Sequence, residues 1–450
     1  MKARYLDFLY GLGVFNIKLG LDRIRRLLAR LDGVERHPRI IHIAGTNGKG
    51  STLVAIESLL LRSGFSTGST VSPHLMEFNE RFRINGQAVS DEMLNEAFCK
   101  VCKACGIDTD RLDEYRGGGR LNPTFFEFSL AMAFVIFRRY GVDYILLETG
   151  LGGRLDATNV VQDPLACVFT RIALDHEEYL GKGIEAIANE KLGILKPGAT
   201  AFIAKQEPAV AVQIKHRCRE KGNRFLAADE NFACRKTESG LIYGLRSSSD
   251  PNALPVPLPI SIDLGEIGLR GVHQLENIAT ALTLYLSLVP EESQLDREEI
   301  DDCFRTLQWP ARMQYLDAEK RILLDGAHNV SGMSSLVNFI RRYHAGDSIL
   351  FAVCWMEGKE ILPALRSLPV AGSCFQPLKM EQCATGHLDR IERQLREEKF
   401  EVLPMCDIAE FVRRKLPVFL QRYDLVVVAG SLYLIGEFLA EHRRREPIAV

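Results

Sequence analysis

The sequence predicts an α/β protein of two domains: residues 1–292 built on a doubly wound, mostly parallel sheet, and residues 293–450 forming a smaller α/β domain. Three observations carry that expectation. Short β-branched runs alternate with stretches of helical spacing along most of the chain, the pattern of parallel strands joined by crossover helices. At 450 residues the chain exceeds the length at which one hydrophobic core keeps growing. The alternation lapses over residues 222–263 and starts afresh beyond Trp309, which sets a change of domain between Val289 and Trp309.

From the N-terminus, Leu6, Leu9 and Tyr10 suit a helix packed on the domain. Asp7 and the lack of a small-residue cleavage site argue against a signal peptide. Gly20 to Leu31 is an amphipathic helix with Ile24, Leu27, Leu28 and Leu31 on one side and arginines on the other. Next comes R-I-I-H-I-A-G-T-N-G-K-G-S-T, Arg39 to Thr52. Ile40, Ile41 and Ile43 form a short buried strand that ends at Gly45, and Leu53, Ile56, Leu59 and Leu60 resume with helical spacing. Glycines between a strand and a helix bare backbone N–H groups and a helix N-terminus to a phosphate. Gly45, Gly48 and Gly50 permit close approach, Lys49 brings a cation, and Ser51 or Thr52 brings a hydroxyl for a magnesium ion. We read a P-loop-type nucleoside triphosphate site, although Gly50 separates Lys49 from Ser51, unlike the standard string.

Thr70 to Leu75 closes a second strand, and Glu80 to Gly86 alternates up to an Asn85-Gly86 turn. A helix through Met93, Leu94, Ala97, Phe98 and Val101 carries Cys99, Cys102 and Cys105. With no fourth ligand nearby, these read as semi-buried free thiols. Asn122 to Tyr140 is an aromatic-rich helix opened by Pro123 and Thr124, with Glu127 either on a solvated face or, the favoured reading, a polar group on the ligand side. Val142 to Thr149 is a buried strand ending in Glu148 ahead of a glycine-rich turn to Asp156, and Leu165 to Thr170 is a strand that delivers Asp175 and His176. Groups at the C-terminal ends of such strands are where α/β sheets place ligand chemistry. A helix over Ile184 to Ile194 carries Glu190 and Lys191. Pro251, Pro255, Pro257 and Pro259 mark loops and short edge strands, and Gly271 to Asn277 leads into a helix reaching Leu288. The second alternation runs from strand Ile322 to Asp325, through helix Ser334 to Tyr343, strand Ile349 to Cys354 and helix Leu388 to Glu398. Strand Leu425 to Ala429 and a helix from Leu432 complete a Rossmann-like domain.

Composition restricts the partners. A net charge of −2 gives no electrostatic case for nucleic acid or an anionic membrane, so any anionic ligand is held by local groups. No apolar run is long enough to span a bilayer. Eleven cysteines in a chain of this class suggest reduced thiols in a cytoplasm.

Taken together, the motifs resemble the folylpolyglutamate synthase and dihydrofolate synthase family of the Mur ligase superfamily over nearly the whole chain. The resemblance rests on I-H-I-A-G-T-N-G-K-G-S-T, S-P-H-L, L-E-T-G-L-G-G-R-L-D-A-T-N, I-A-L-D-H-x-x-Y-L-G, E-K-L-G-I-L-K, G-V-H-Q-L-E-N, W-P-A-R, L-D-G-A-H-N and A-G-S-L-Y, in that order. It implies ATP- and magnesium-dependent ligation of L-glutamate to a reduced folate or dihydropteroate by a monomer. ATP phosphorylates a carboxylate, and the glutamate amine displaces phosphate from the acyl phosphate. It further implies phosphate contacts from Gly48, Lys49, Gly50 and Ser51, magnesium held by Ser72, Glu148 and His176, and a carbamylated Lys191. Asn277, Arg312 and Asp325 correspond to ATP contacts, and His328 shares a loop expected to reach the phosphates. The pterin-carrying substrate is expected near Ser72 to Leu75, Arg83, Thr124, Phe126 and Asp156. Phe126 can stack on a pterin and Asp156 can accept hydrogen bonds; the plainer alternatives are core for Phe126 and a turn or cap for Asp156. Without the resemblance, His176 reads as a general base or a structural histidine, and Lys191 as a surface lysine beside a solvated Glu190.

Three departures stand out: Pro310-Ala311-Arg312 where relatives usually have P-G-R, Met356 to Glu360 where an Asp-Lys-Asp stretch is common, and Val71 before the S-P motif. A Mur-type peptide ligase is the enzyme alternative, but the nucleotide strand starts near residue 40, which leaves no room for an added N-terminal substrate domain. A nucleotide-binding regulatory protein is the non-enzyme alternative; the joint presence of Glu148, His176 and Lys191 argues against it.

Overall fold

A computed structural model describes residues 2–14, 16–115, 121–237, 241–247, 250–254, 260–368 and 373–445. The chain divides into two units. One comprises residues 1–173, 177–266 and 276–307, the other residues 174–176, 267–275 and 308–450.

The first unit holds an eight-stranded sheet of β1 (Ile40–Ala44), β2 (Thr67–Thr70), β3 (Phe82–Ile84), β4 (Gln87–Ala88), β5 (Tyr144–Glu148), β6 (Ala166–Phe169), β7 (Thr200–Ile203) and β8 (Phe225–Ala227). The spatial order is β4-β3-β2-β5-β1-β6-β7-β8. The stretch from β2 to β8 is parallel, and the β3-β4 hairpin folds back antiparallel at one edge. Every residue of β1, β5 and β6 is buried, as in strands covered on both faces. The helices in chain order are α1 (Lys2–Gly11), α2 (Asp22–Ala29), α3 (Lys49–Arg62), α4 (Asp91–Cys105), α5 (Phe125–Tyr140), α6 (Glu177–Leu180), α7 (Ile184–Leu192), α8 (Pro208–Glu220), α9 (Val272–Leu288) and α10 (Arg297–Thr306). Phe128, Phe134 and Phe137 of α5 join Phe98 of α4 in one apolar core, and Gly68 of β2 leaves room for the Phe137 ring, 2.5 Å from where a Cβ would stand. Cys102 and Cys105 are buried in that core while Cys99 is exposed, so the triplet spacing splits between core and solvent.

Residues 222–263 hold more order than expected. Besides β8 they form a three-stranded antiparallel sheet of β9 (Phe232–Lys236), β10 (Leu241–Leu245) and β11 (Ile260–Leu264). Pro255, Pro257 and Pro259 lie outside the described residues. The first unit also runs on past residue 292. α10 docks on α3 through an Arg62–Asp302 ion pair at 2.7 Å, an Arg62–Thr306 hydrogen bond and a Ser58–Cys303 contact, both at 3.0 Å.

The second unit is a sheet of β12 (Gln314–Tyr315), β13 (Ile322–Asp325), β14 (Ile349–Val353), β15 (Ser373–Lys379), β16 (Glu401–Val402), β17 (Cys406–Asp407) and β18 (Leu425–Ala429). Its order is β12-β13-β18-β14-β15-β16, with β17 on β15 and only β12 antiparallel. β15 escapes the apolar pattern because Gln376 and Pro377 interrupt it. The buried Gln376 Nε2 donates to the Pro377 and Pro404 carbonyls, at 3.1 and 2.7 Å.

Candidate active site

β1 lies between β5 and β6, with Ile43 opposite Glu148 and Ala44 opposite Phe169. The next residue, Gly45, therefore leaves the C-terminal edge of the sheet at its topological switch. A Cβ on Gly45 would fall 1.8 Å from the Thr170 hydroxyl oxygen. Gly48, the last residue before α3, has φ +89°, and a Cβ there would fall 2.4 Å from Asn277 Oδ1. Side chains are thus excluded at both glycines, at Gly48 by conformation as well. The Thr46 and Asn47 amides donate to the Arg171 carbonyl at 2.9 and 3.1 Å, which fixes the turn. The opening turn of α3 keeps N–H groups with no acceptor inside the helix. Lys49 Nζ stands 3.4 Å from the Thr46 carbonyl and 3.8 Å from Glu148 Oε1, while Glu148 Oε2 accepts from the Ser72 amide at 3.0 Å. The Ser51 and Thr52 hydroxyls are buried with no partner among the described residues.

Lys191 is not a surface lysine. Its side chain is buried, and Nζ donates to the Gly45 carbonyl at 2.9 Å. Close packing brings α7 there: a Cβ on Gly153 would lie 2.7 Å from the Lys191 carbonyl oxygen, and one on Gly193 would lie 2.3 Å from Arg154 Cα. Glu190, expected to be simply solvated, pairs with Arg154 at 2.9 Å.

On the neighbouring surface Thr124 caps α5. Its hydroxyl accepts from the Glu127 amide at 3.2 Å, and Glu127 Oε2 accepts from the Thr124 amide at 2.8 Å and from Arg23 at 3.0 Å. Glu127 is therefore a helix cap and ion-pair partner through Oε2, while its buried Oε1 has no partner among the described residues. Beside Thr124 opens a cavity of about 470 Å3, bordered by Phe8, Asn16, Lys18 and Tyr115, a size that suits a small ligand. Phe126 packs against Gly150 and shares a small cleft with Ser72, Arg81 and Glu148. Arg83 does not join them. It turns to the other face of the sheet and pairs with the buried Glu57 of α3 at 3.0 Å. Arg81 stands instead at this cleft, over the Phe125 ring at 5.1 Å and bonded to His74 at 2.8 Å. The E-R-F-R alternation hid the difference, because Arg81 ends a helical turn over Phe78–Arg81 and does not follow strand alternation. Asp156 caps the turn Ala157–Val160. Oδ1 accepts from the Thr158 amide at 3.0 Å and hydroxyl at 2.6 Å, and Oδ2 accepts from Leu151 N at 2.8 Å. Burial pushes its carboxyl pKa up, against those hydrogen bonds.

In the second unit Asp325 accepts from the Met313 and Ala327 amides at 2.8 and 2.9 Å, and burial raises its pKa while Arg312 opposes the rise. Ala311 and Met313 flank Arg312 at φ +58° and +45°, which accounts for glycine as the usual residue before this arginine. Burial, aided by Arg312, pushes His273 down to about 4. His328 binds the Gly326 carbonyl through Nδ1 at 2.9 Å, and its Nε2 is 3.7 Å from Asp175. Asp175 also meets Asn329 at 3.0 Å and Lys359, whose ammonium lies 2.8 Å from His176 Nε2. Burial alone would raise Asp175; the His328 hydrogen bond and the Lys359 charge win and hold it well below the usual carboxylate range. Lys359 went unread because it sits in the departing Met356–Glu360 stretch.

Among the described residues no three His, Cys, Asp or Glu side chains converge as a metal-holding group. The oxygen donors near Lys49, namely Ser51, Ser72 and Glu148, are of the kind that suits a hard divalent ion. No described helix is long and apolar enough to cross a membrane.

No family model matches the chain. It is similar to the dihydrofolate synthase/folylpolyglutamate synthase of Bacillus subtilis, 34% identical over 97% of this chain and 99% of that protein. The Escherichia coli protein of the same description is 30% identical over 97% of this chain and 94% of its own length. Among solved structures, E. coli FolC in complex with DHPP and ADP has a TM-score of 0.79 at 27% identity, covering 99% of this chain and 98% of that one. The bifunctional folylpolyglutamate synthase/dihydrofolate synthase of Yersinia pestis, complexed with AMPPNP and Mn ion, also has 0.79, at 28% identity and coverage of 98% and 97%.

Proposed function

We propose that this chain, which belongs to the dihydrofolate synthase/folylpolyglutamate synthase family, is an ATP-dependent ligase that joins L-glutamate to a folate and takes dihydropteroate as a second acceptor. The observation that carries the reading is the head of α3. There Lys49, 3.8 Å from Glu148, shares the first turn of the helix with a buried Ser51 hydroxyl that has no partner among the described residues. A buried hydroxyl without a partner costs free energy, and a ligand oxygen or metal ion at that point relieves the cost.

A carboxylate is a poor electrophile, so the phosphoryl donor has to be held and its charge neutralised. Gly48, Lys49, Gly50 and Ser51 hold the phosphates, with Asn277 beside Gly48. In the second unit, Arg312, Asp325 and His328 are the nucleotide residues of this reading. Magnesium, when bound, neutralises phosphate charge and polarises the transferred group; Ser51, Ser72 and Glu148 of the first unit would hold it, and His176 is the further ligand that the family resemblance implies. A carbamate on Lys191 would keep one N–H for the Gly45 carbonyl while turning a buried cation into an anion. The pteroyl end belongs to the surface of Thr124, Phe126 and Arg81. Arg83 and Asp156 act from behind it, since their polar atoms are committed to Glu57 and to the Gly150–Thr158 turn. The protein acts as a monomer in the cytoplasm, a compartment that suits its eleven cysteines.

Purified protein with ATP and magnesium should release phosphate and ADP only when glutamate and a pteroyl substrate are both present. AMP and pyrophosphate as products, or phosphate release indifferent to glutamate, would overturn the reading.

A further inference from the structure

His42 is the one polar residue inside β1, between isoleucines and with no exposed surface. Its Nε2 lies 2.8 Å from the Thr158 hydroxyl, and that hydroxyl donates to Asp156 Oδ1 at 2.6 Å. The donors around Asp156 order the protons. Its two oxygens already accept the Leu151 and Thr158 amides, which favours the ionised form against burial, so the one hydroxyl hydrogen of Thr158 goes to the carboxylate. Thr158 can then only accept from the ring, so Nε2 carries the imidazole hydrogen and Nδ1 is a bare acceptor. Nδ1 is indeed buried with no partner among the described residues. Burial and the charge of Lys196 push the ring down to about 3, which keeps it neutral. A core that needed only packing would be served by an apolar side chain without an orphaned nitrogen.

The chain of bonds has a destination. Asp156 Oδ2 holds the Leu151 amide at 2.8 Å, and Gly150 beside it stands 2.8 Å, at its Cβ position, from the Phe126 ring. We propose that His42 is a positioning residue for the pteroyl site, acting through Thr158 and Asp156 to hold the Gly150–Gly153 turn against Phe126. The inference rests on the substrate surface given under Proposed function. By donating to Thr158, His42 directs the hydroxyl hydrogen at Asp156, and each bond polarises the next. Cutting the relay lets that hydroxyl rotate and the turn relax, so the loss is felt by the pteroyl substrate and not by the nucleotide.

The test is the full-length enzyme with His42→Leu, Thr158→Val and His42→Gln. Either of the first two should raise KM for dihydropteroate or tetrahydrofolate about fivefold or more with KM for ATP unchanged. His42→Gln, which keeps an N–H at the same reach, should recover most of the loss. Thr158→Val is nearly isosteric and gives the answer if His42→Leu fails to fold. Nitrogen-15 NMR of the histidines should show a neutral Nε2–H tautomer for the resonance that His42→Gln removes. An Nδ1–H tautomer, or an unchanged pteroyl KM in folded Thr158→Val, overturns the relay. Phe126→Ala separates the two levels. If it raises the pteroyl KM while Thr158→Val does not, the relay falls and the site stands. If neither raises it, the substrate surface itself is wrong and the relay falls with it.

Discussion

At the scale of single residues, Lys191 changes most between its surroundings in sequence and in space. As a surface lysine, its replacement by alanine would shift stability by no more than about 0.5 kcal/mol. Buried against the Gly45 carbonyl at 2.9 Å, it satisfies an acceptor at the root of the glycine turn between β1 and α3. Lys191→Ala should therefore lower the unfolding free energy by about 1–3 kcal/mol, the cost of an unpaired buried group, and also bring phosphate release close to background. Arginine should not rescue turnover, because it keeps the charge a carbamate would reverse. Urea titration with a phosphate assay reads both effects, and an active variant of unchanged stability would return Lys191 to scaffold.

Elements explain why the site residues stay where they are. α5 begins abruptly because Thr124 and Glu127 satisfy each other's amides, and Arg23 from α2 neutralises the carboxylate at 3.0 Å. That fixes the first turn of the helix and hence the ring of Phe126. Thr124→Ala should cost about 1 kcal/mol through the lost cap. Glu127→Gln should cost less than Glu127→Ala, since glutamine can still accept from the Thr124 amide. Chemical denaturation of the three variants gives the ranking, and equal losses for Gln and Ala would show that the cap does not hold α5.

Over the whole molecule, burial has left three imidazoles neutral. Burial pushes His42 and His74 down to about 3 and His273 to about 4, with Lys196, Arg81 and Arg312 as the respective charged neighbours. In the unfolded chain a histidine titrates near 6.5. Below that pH the unfolded state binds more protons, so stability falls as pH drops from about 6.5 toward 3. Asp175 adds loss below the ordinary carboxylate range, because its folded form is held as the anion. The urea midpoint at fixed ionic strength should decline steadily between pH 7 and 4, and His42→Gln should flatten the decline. A midpoint constant across that range would mean the buried histidines accept protons without cost.

The sequence by itself determined what depends on neighbours along the chain. Isoleucines before Gly45 and helical spacing after Ser51 suffice to set a glycine turn between a strand and a helix, because strand, turn and helix are contiguous. The same holds for the Asn85-Gly86 hairpin, where both residues adopt positive φ, and for the strands from Ile322 to Asp325 and Leu425 to Ala429. Only the tertiary structure decided what depends on distant partners. Lys191 meets a carbonyl 146 residues away, and His42 a hydroxyl 116 residues away. A helical turn at Phe78–Arg81 decides that Arg81, and not Arg83, stands at the Phe126 cleft. Local periodicity carries the direction of a side chain only within one regular element, while the partner of a buried polar group is set by which elements the fold packs together.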